Sequence, residues 1–317
     1  MISTTQWHER VGLQRDWVWR GWQVRYSFLR GPADKTPVLL LHGFGAAIEH
    51  WRKNIPVLGE ERTVYALDLL GFGGSRKAIA PYGAELWVAQ VYDFWRTFIG
   101  EPVVLVGNSL GSLVSFMTAA THPEMVKGLA MLSLPDLTLR EKSVPKPFRS
   151  LVFAIESFFT APIFLKPLFH FVRRPSMIRT WVTLAYGHKE AVDGELVDIL
   201  ALPPTDEGAF DAFCALSSSV RQSGMTRSVR ELLPELTIPI LLIWGRQDPM
   251  IPFSLSKNFL GLNPNLEFVP LDKAGHCPHD EDPEIFHKII LPWLVAKIDG
   301  SIEKNSLKVV NLHAEIH

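Results

Sequence analysis

The sequence predicts an α/β protein: a mostly parallel sheet covered by helices on both faces. Two observations carry this. The apolar runs "PVLLLHG" (37–43), "TVYALDL" (63–69), "PVVLVG" (102–107), "GLAMLSL" (128–134), "IPILLIWG" (238–245) and "LEFVPL" (266–271) are continuous, not alternating, which is the pattern of strands buried on both sides. Amphipathic segments lie between them, and repeated strand–helix alternation closes as a helix-covered parallel sheet.

Along the chain, "DWVWRGWQVRYSFLRG" (16–31) alternates apolar and polar residues and is expected as an antiparallel hairpin on one edge. In "AELWVAQVYDFWRTFI" the residues Ala84, Trp87, Val88, Val91, Phe94, Trp95 and Phe98 recur at helical spacing and predict one buried face. From about 136 to 228 the alternation stops, and apolar helix-like segments and prolines take over. This stretch is expected to form a helical cap or lid, with 1–135 and 229–299 as the two parts of the core. Asp282 and Pro283 make an N-cap and first-turn pair. The helix they open places Ile285, Phe286, Ile289, Ile290, Trp293 and Leu294 on one face, with a kink expected at Pro292. The tail 300–317 is polar and expected to be peripheral.

Composition narrows the function classes. A formal net charge of -1 gives no electrostatic reason to expect nucleic acid as a partner. Cys214 and Cys277 are the two cysteines of the chain. Two cysteines make neither a disulfide framework nor a cysteine zinc site, so a reducing compartment is expected. The first residues show no apolar signal region, and the expected location is cytoplasmic. The apolar stretch 151–172 is long enough to span a bilayer, but it carries Glu156, Lys166, His170, Pro162 and Pro167 and reads as a pair of short helices. No metal constellation is visible, and "GFGGS" does not complete a dinucleotide-binding pattern, so neither metal nor cofactor is expected.

The chemistry-bearing motif is "GNSLG" (107–111), which follows an apolar strand and precedes a helical segment. Gly107 and Gly111 have no Cβ, so the chain can turn sharply and leave Ser109 exposed at the strand end before a helix N-terminus. A serine hydroxyl becomes a nucleophile only when a base takes its proton and donors hold the oxyanion that forms. The Leu110 N–H is one candidate donor, and the Phe44 N–H, in "HGFG" after an earlier strand, is the other. Among eleven histidines, His276 in "LDKAGHCPHDEDPE" directly follows the last strand and is the candidate base. His279 is its local rival. Asp248, in "GRQDPM" after the penultimate strand, is the candidate acid, with Asp136 as the alternative. Asp68 is expected to order the loop that follows it.

The ordered motifs "HGFG" (42–45), "DLLGFGGS" (68–75), "GNSLG" (107–111), "GRQD" (245–248) and "GH" (275–276) resemble those of the α/β-hydrolase superfamily over about 35–135 and 235–297. In local wording the chain is most similar to the pheophytinase and chlorophyll dephytylase-like branch of photosynthetic organisms. The resemblance implies an eight-stranded, mostly parallel sheet with a cap inserted after the sixth strand. It also implies a Ser109–His276–Asp248 triad with an oxyanion hole from the Phe44 and Leu110 amides. Members that use an aspartate or cysteine nucleophile are excluded by Ser109. The expected activity is hydrolysis of a carboxylic ester of a hydrophobic small molecule, such as a prenyl, phytyl or lipid ester. The alternatives are a carbon–carbon hydrolase, a lyase or a cofactor-free haloperoxidase with the same triad, or a slow-turnover ligand receptor on this scaffold.

In the cap, Phe153, Phe158, Phe159, Phe164, Phe169, Phe171, Trp181 and Leu184 crowd one insertion. One reading packs them onto the core. The other makes Phe153, Phe158, Phe159 and Trp181 walls of an apolar substrate pocket, with a lid face in peripheral contact with a membrane and Lys166, Arg173 and Arg174 at headgroup level.

Overall fold

The structure, a computed structural model, describes residues 9–136, 162–222 and 228–300. The chain opens with an antiparallel hairpin, β1 (Leu13–Trp19) and β2 (Trp22–Leu29), registered Leu13 to Phe28 through Trp19 to Trp22. It continues through β3 (Val38–Leu41), helix α1 (Ile55–Glu61), β4 (Val64–Leu67), α2 (Ala84–Phe98), β5 (Val103–Asn108), α3 (Leu110–Thr121) and β6 (Val126–Leu132). Beyond β6 come α4 (Pro162–Val172), α5 (Pro175–Ala185), α6 (Gly194–Ala201), α7 (Ala209–Gln222) and α8 (Val229–Leu232). The core resumes with β7 (Ile240–Gly245), β8 (Leu266–Leu271), α9 (Pro278–Glu281) and α10 (Pro283–Trp293).

All eight strands form one sheet in the order β1-β2-β4-β3-β5-β6-β7-β8. The pairs β1–β2 and β2–β4 are antiparallel, and every later pair is parallel. Why the inner strands read as unbroken apolar runs is visible in their neighbours. Leu39, Leu41, Val103, Leu105, Leu129 and Met131 face one core, under Trp87, Phe94 and Phe116. The residues between them, Val38, Leu40, Val104, Val106, Ala130 and Leu132, face a second core with Ile55, Leu58, Phe286 and Ile290. A strand with a hydrophobic core on each side has no solvent face and so no polar alternation.

The helix ends behave as their sequences dictate. The Asp282 side chain accepts from the Ile285 N–H at 3.1 Å, and Pro283 fills the first turn. Pro292 does not stop α10, which continues from Leu294 to Asp299 in the wider π form before Gly300. No helix among the described residues is long and apolar enough to cross a membrane.

Candidate active site

The serine turn is fixed by close approach of backbones. A Cβ on Gly107 would sit 2.3 Å from the Gly111 carbonyl, and one on Gly111 would sit 2.1 Å from the Leu41 oxygen. Between them Ser109 takes φ 54° and ψ -114°, a conformation that L-residues rarely adopt and that costs of order 1–3 kcal/mol. The turn is held by the Ser109 N–H on the Leu132 carbonyl at 2.9 Å, and by Ser112 Oγ donating to Gly107 and Leu132 at 2.7 and 2.8 Å. Leu110 is the first residue of α3, so its N–H has no acceptor within the helix.

The loop after β3 lies against this turn. A Cβ on Gly43 would stand 3.0 Å from Asn108 Oδ1 and 3.5 Å from Ser109 Cβ. Burial lowers the pKa of His42 to about 4, so its ring is neutral and its 3.6 Å approach to Asp68 is not an ion pair. Nδ1–H donates to the Gly43 carbonyl at 2.7 Å, and Nε2 accepts from the Leu69 N–H at 3.1 Å. Across a planar trans peptide the carbonyl and the next N–H point opposite ways. Holding the Gly43 oxygen on the His42 side therefore fixes the Phe44 N–H on the other. Asp68 accepts from the Ile48 and Gly74 amides at 2.8 and 2.7 Å, ordering the loops on both sides of it.

His276 sits between β8 and α9, and Asp248 follows β7. Their side chains meet: His276 Nδ1 donates to Asp248 Oδ2 at 2.9 Å. The second oxygen of Asp248 accepts from the Met250 and Ile251 amides, each at 2.9 Å. The carboxylate is fully buried while the imidazole keeps 12% exposure, so Nε2 is the ring's remaining polar atom. The Asn108 side-chain amide donates to the His276 carbonyl at 3.0 Å, latching the histidine loop to the residue before Ser109. His279, the local rival, is buried with its ring 4.1 Å from that of Trp51.

A buried polar network lies behind the histidine. His50 Nε2 donates to Tyr186 Oη at 2.8 Å, and that hydroxyl donates to Asp280 Oδ2 at 2.9 Å. Asp280 Oδ1 accepts from Arg52 at 2.9 Å. Burial alone pushes the Asp280 carboxyl up, but His50, Arg52 and Lys53 outweigh it and hold it below its ordinary value. Burial lowers His50 to about 4 and His279 well below the usual imidazole range.

These shifts set an acid limit. His42, His50 and His279 are neutral in the fold and take up protons only after unfolding. Their contribution is complete above the ordinary histidine pKa and is lost as pH falls from about 6.5 toward 4. Asp68, pushed up by burial, opposes them with about one proton in that window. The net uptake of these four groups on unfolding is expected to be roughly two protons, about 3 kcal/mol per pH unit, and His287, also lowered by burial, adds to it. Denaturant titrations from pH 6.5 to 4.5 check this, and flat stability would contradict it.

The helices after β6 share a cavity of about 370 Å³ with the loops at the carboxyl ends of β3, β4 and β7. Phe44, Phe72 and Met250 contribute from those loops, and Phe169, Trp181 and Phe213 from the helices. Phe169 packs on Phe213 with ring centroids 5.2 Å apart. Lys77 and Arg173 are the charged side chains in its wall, and both are engaged. Lys77 donates to Ser75 and Asp206 at 2.9 Å, and Arg173 donates to the Pro204 carbonyl at 3.3 Å. Ser109 and His276 are not among the walls. Trp181 stands in the cavity wall and is 53% exposed. Phe153, Phe158 and Phe159 lie outside the described residues.

Three residues beside the site carried no functional expectation from sequence: Asn108, Tyr186 and Glu281. Asn108 stood inside the serine motif, next to Ser109. Tyr186 and Glu281 had no readable signal, because their partners are far away in the chain.

With the geometry in view, residues 36–283 match the family model described as "alpha/beta hydrolase fold". The chain belongs to this family. Among curated relatives of this chain, the chloroplastic pheophytinase of Arabidopsis thaliana is 28% identical, over 85% of this chain and 63% of the relative. The chain thus spans less than two thirds of that protein's length. The 2-hydroxy-6-oxo-6-(2'-aminophenyl)hexa-2,4-dienoic acid hydrolase of Metapseudomonas resinovorans is 26% identical, over 83% of this chain and 85% of its own. Among solved structures, a serine hydrolase involved in carbazole degradation superposes with a TM-score of 0.72 at 23% identity, over 90% of this chain and 99% of that one. A bacterial membrane phospholipase A gives 0.72 at 24%, over 96% and 90%.

Proposed function

We propose that this α/β-hydrolase is a serine hydrolase that cleaves a carboxylic ester of a hydrophobic substrate. Ser109 is the nucleophile, His276 the base, Asp248 the acid that orients it, and the Phe44 and Leu110 amides hold the oxyanion. The observation that carries the reading is the His276–Asp248 hydrogen bond at 2.9 Å, on a loop latched by Asn108 to a strained serine turn. His276 Nε2 takes the hydroxyl proton as Ser109 Oγ attacks the ester carbon. The alkoxide leaves with that proton, and water deacylates the serine by the same route. Asp248 serves as the acid in this reading because its second oxygen is already held by two amides, fixing the one aimed at His276.

The cavity beside Phe44 supports an apolar acyl or alkyl group, and its size is at the low end of small-molecule pockets. A prenyl or phytyl ester is the finer reading, supported by the similarity to pheophytinase. The dienoic acid hydrolase among the relatives makes carbon–carbon hydrolysis the second reading. A carboxylate-bearing substrate would want a free cation, and the two in the cavity wall are engaged. A chromogenic ester series of graded acyl length tests the choice. An acyl burst followed by steady turnover is expected, rising with chain length, and its absence across the series would favour the second reading or a receptor role.

The surface of α4 and α5 supports peripheral membrane contact. Residues 162–188 include Lys166, Arg173, Arg174 and Arg179 and no acidic residue, and Leu168, Phe171, Trp181 and Leu184 are all exposed. Each basic residue near an anionic bilayer contributes about 1 kcal/mol. The protein is expected to co-sediment with phosphatidylserine vesicles at low salt and to be released at high salt. No association at low salt would overturn the assignment.

A further inference from the structure

One carboxylate beneath the His276 loop collects four backbone amides. Glu281 Oε2 accepts from Gly187, Gly275 and His188 at 2.7, 2.9 and 3.2 Å, and Oε1 accepts from Cys277 at 2.8 Å. Gly275 and Cys277 flank His276. Gly187 and His188 belong to the strap that leaves α5, in the segment between β6 and β7. The strap also bonds to the histidine itself, whose N–H donates to the Ala185 carbonyl at 2.9 Å. The two backbones lie so close that a Cβ on Gly187 would be 2.2 Å from the Lys273 oxygen, and one on Gly275 would be 2.4 Å from the Ala185 oxygen. Neither segment can shift alone. Glu281 itself is buried, and charge-assisted bonds from amides are roughly twice as strong as neutral ones.

We propose that Glu281 is a positioning residue, whose grip on the amides at both sides of His276 and on strap 185–188 sets the imidazole against Ser109. The position of the base is then a joint product of the sheet and of the inserted helices. A hydrogen-bonded loop of ordinary stability would need far less: a single carboxylate here joins two segments and brackets one side chain. The inference rests on the reading of Ser109 as nucleophile and His276 as base. A base displaced by about 1 Å costs on the order of 10²-fold in rate.

The test is labelling of the full chain by a fluorophosphonate, followed by intact mass, for the wild type, Ser109→Ala, Glu281→Gln and Glu281→Asp. Glutamine keeps the volume and one carbonyl oxygen but turns an NH₂ toward amides that can only donate. Its labelling rate constant is expected to fall on the order of 10²-fold, with the final labelled fraction unchanged and part of the rate recovered in Glu281→Asp. A merely structural role would lower the labelled fraction and leave the rate constant of the folded molecules alone. Labelling of Glu281→Gln at the wild-type rate would overturn the proposal. Should that variant fail to fold, Glu281→Asp, which keeps the charge but is too short to reach all four amides, decides by the same criterion. Wild-type protein that takes no label on Ser109 would instead overturn the hydrolase reading, an outcome visible before any Glu281 variant is compared.

Discussion

Replacing Ser109 by alanine is expected to abolish ester turnover, by about 10⁴- to 10⁶-fold, with little change in melting temperature. The methyl group fits where Cβ already stands, and the turn is held by backbone bonds and by Ser112, not by the Ser109 hydroxyl. The strained φ of 54° is borne equally by alanine, so the fold gains or loses little. What disappears is the atom that attacks. Steady-state hydrolysis of the best ester from the graded series, with circular dichroism as the control, measures both. Undiminished turnover in a folded Ser109→Ala protein would remove the nucleophile assignment and everything built on it.

The second large effect is expected at Asp248→Asn, a loss of about 10⁴-fold in kcat. The geometry says why an isostere should be so damaging. Oδ1 accepts from two backbone amides, those of Met250 and Ile251, so an asparagine must place its carbonyl there. Its NH₂ then faces His276 Nδ1, where Asp248 Oδ2 now sits. That forces the ring to accept at Nδ1 and carry its proton on Nε2, the nitrogen that has to receive the serine proton. The base is present, in position, and in the wrong tautomer. The same variant separates the two carboxylates considered from sequence. If Asp136 were the orienting acid, Asp248→Asn would leave kcat near the wild-type value.

Much of this architecture was readable from the chain because its determinants are local. Unbroken apolar runs announced strands sheltered on both faces, and the hairpin's alternation announced its antiparallel edge. The serine turn was legible because two glycines four residues apart are needed where backbones nearly touch, at Gly107 and Gly111. Strand ends also placed His276 and Asp248 at one rim. What could not be read were long-range satisfactions of buried polar groups. Glu281 is such a case, since two of its four partners lie 93 and 94 residues away. Tyr186 joins Asp280 across a similar gap. The π form that α10 takes past Pro292 was not readable either, because tertiary packing of Trp293, Leu294 and Ile298 in the second core holds the chain helical beyond the proline.

The strap beside the base has a practical meaning for engineers. Specificity in scaffolds of this kind invites transplantation of the whole segment between β6 and β7 from one protein to another. Here the graft would bring along the carbonyl of Ala185, which accepts from the His276 N–H, and the amides of Gly187 and His188, which donate to Glu281. A chimera cut at the outer borders of that segment would therefore inherit a foreign mount for its own His276. One that leaves 185–188 with the recipient would exchange the walls of the cavity and keep the machinery in register.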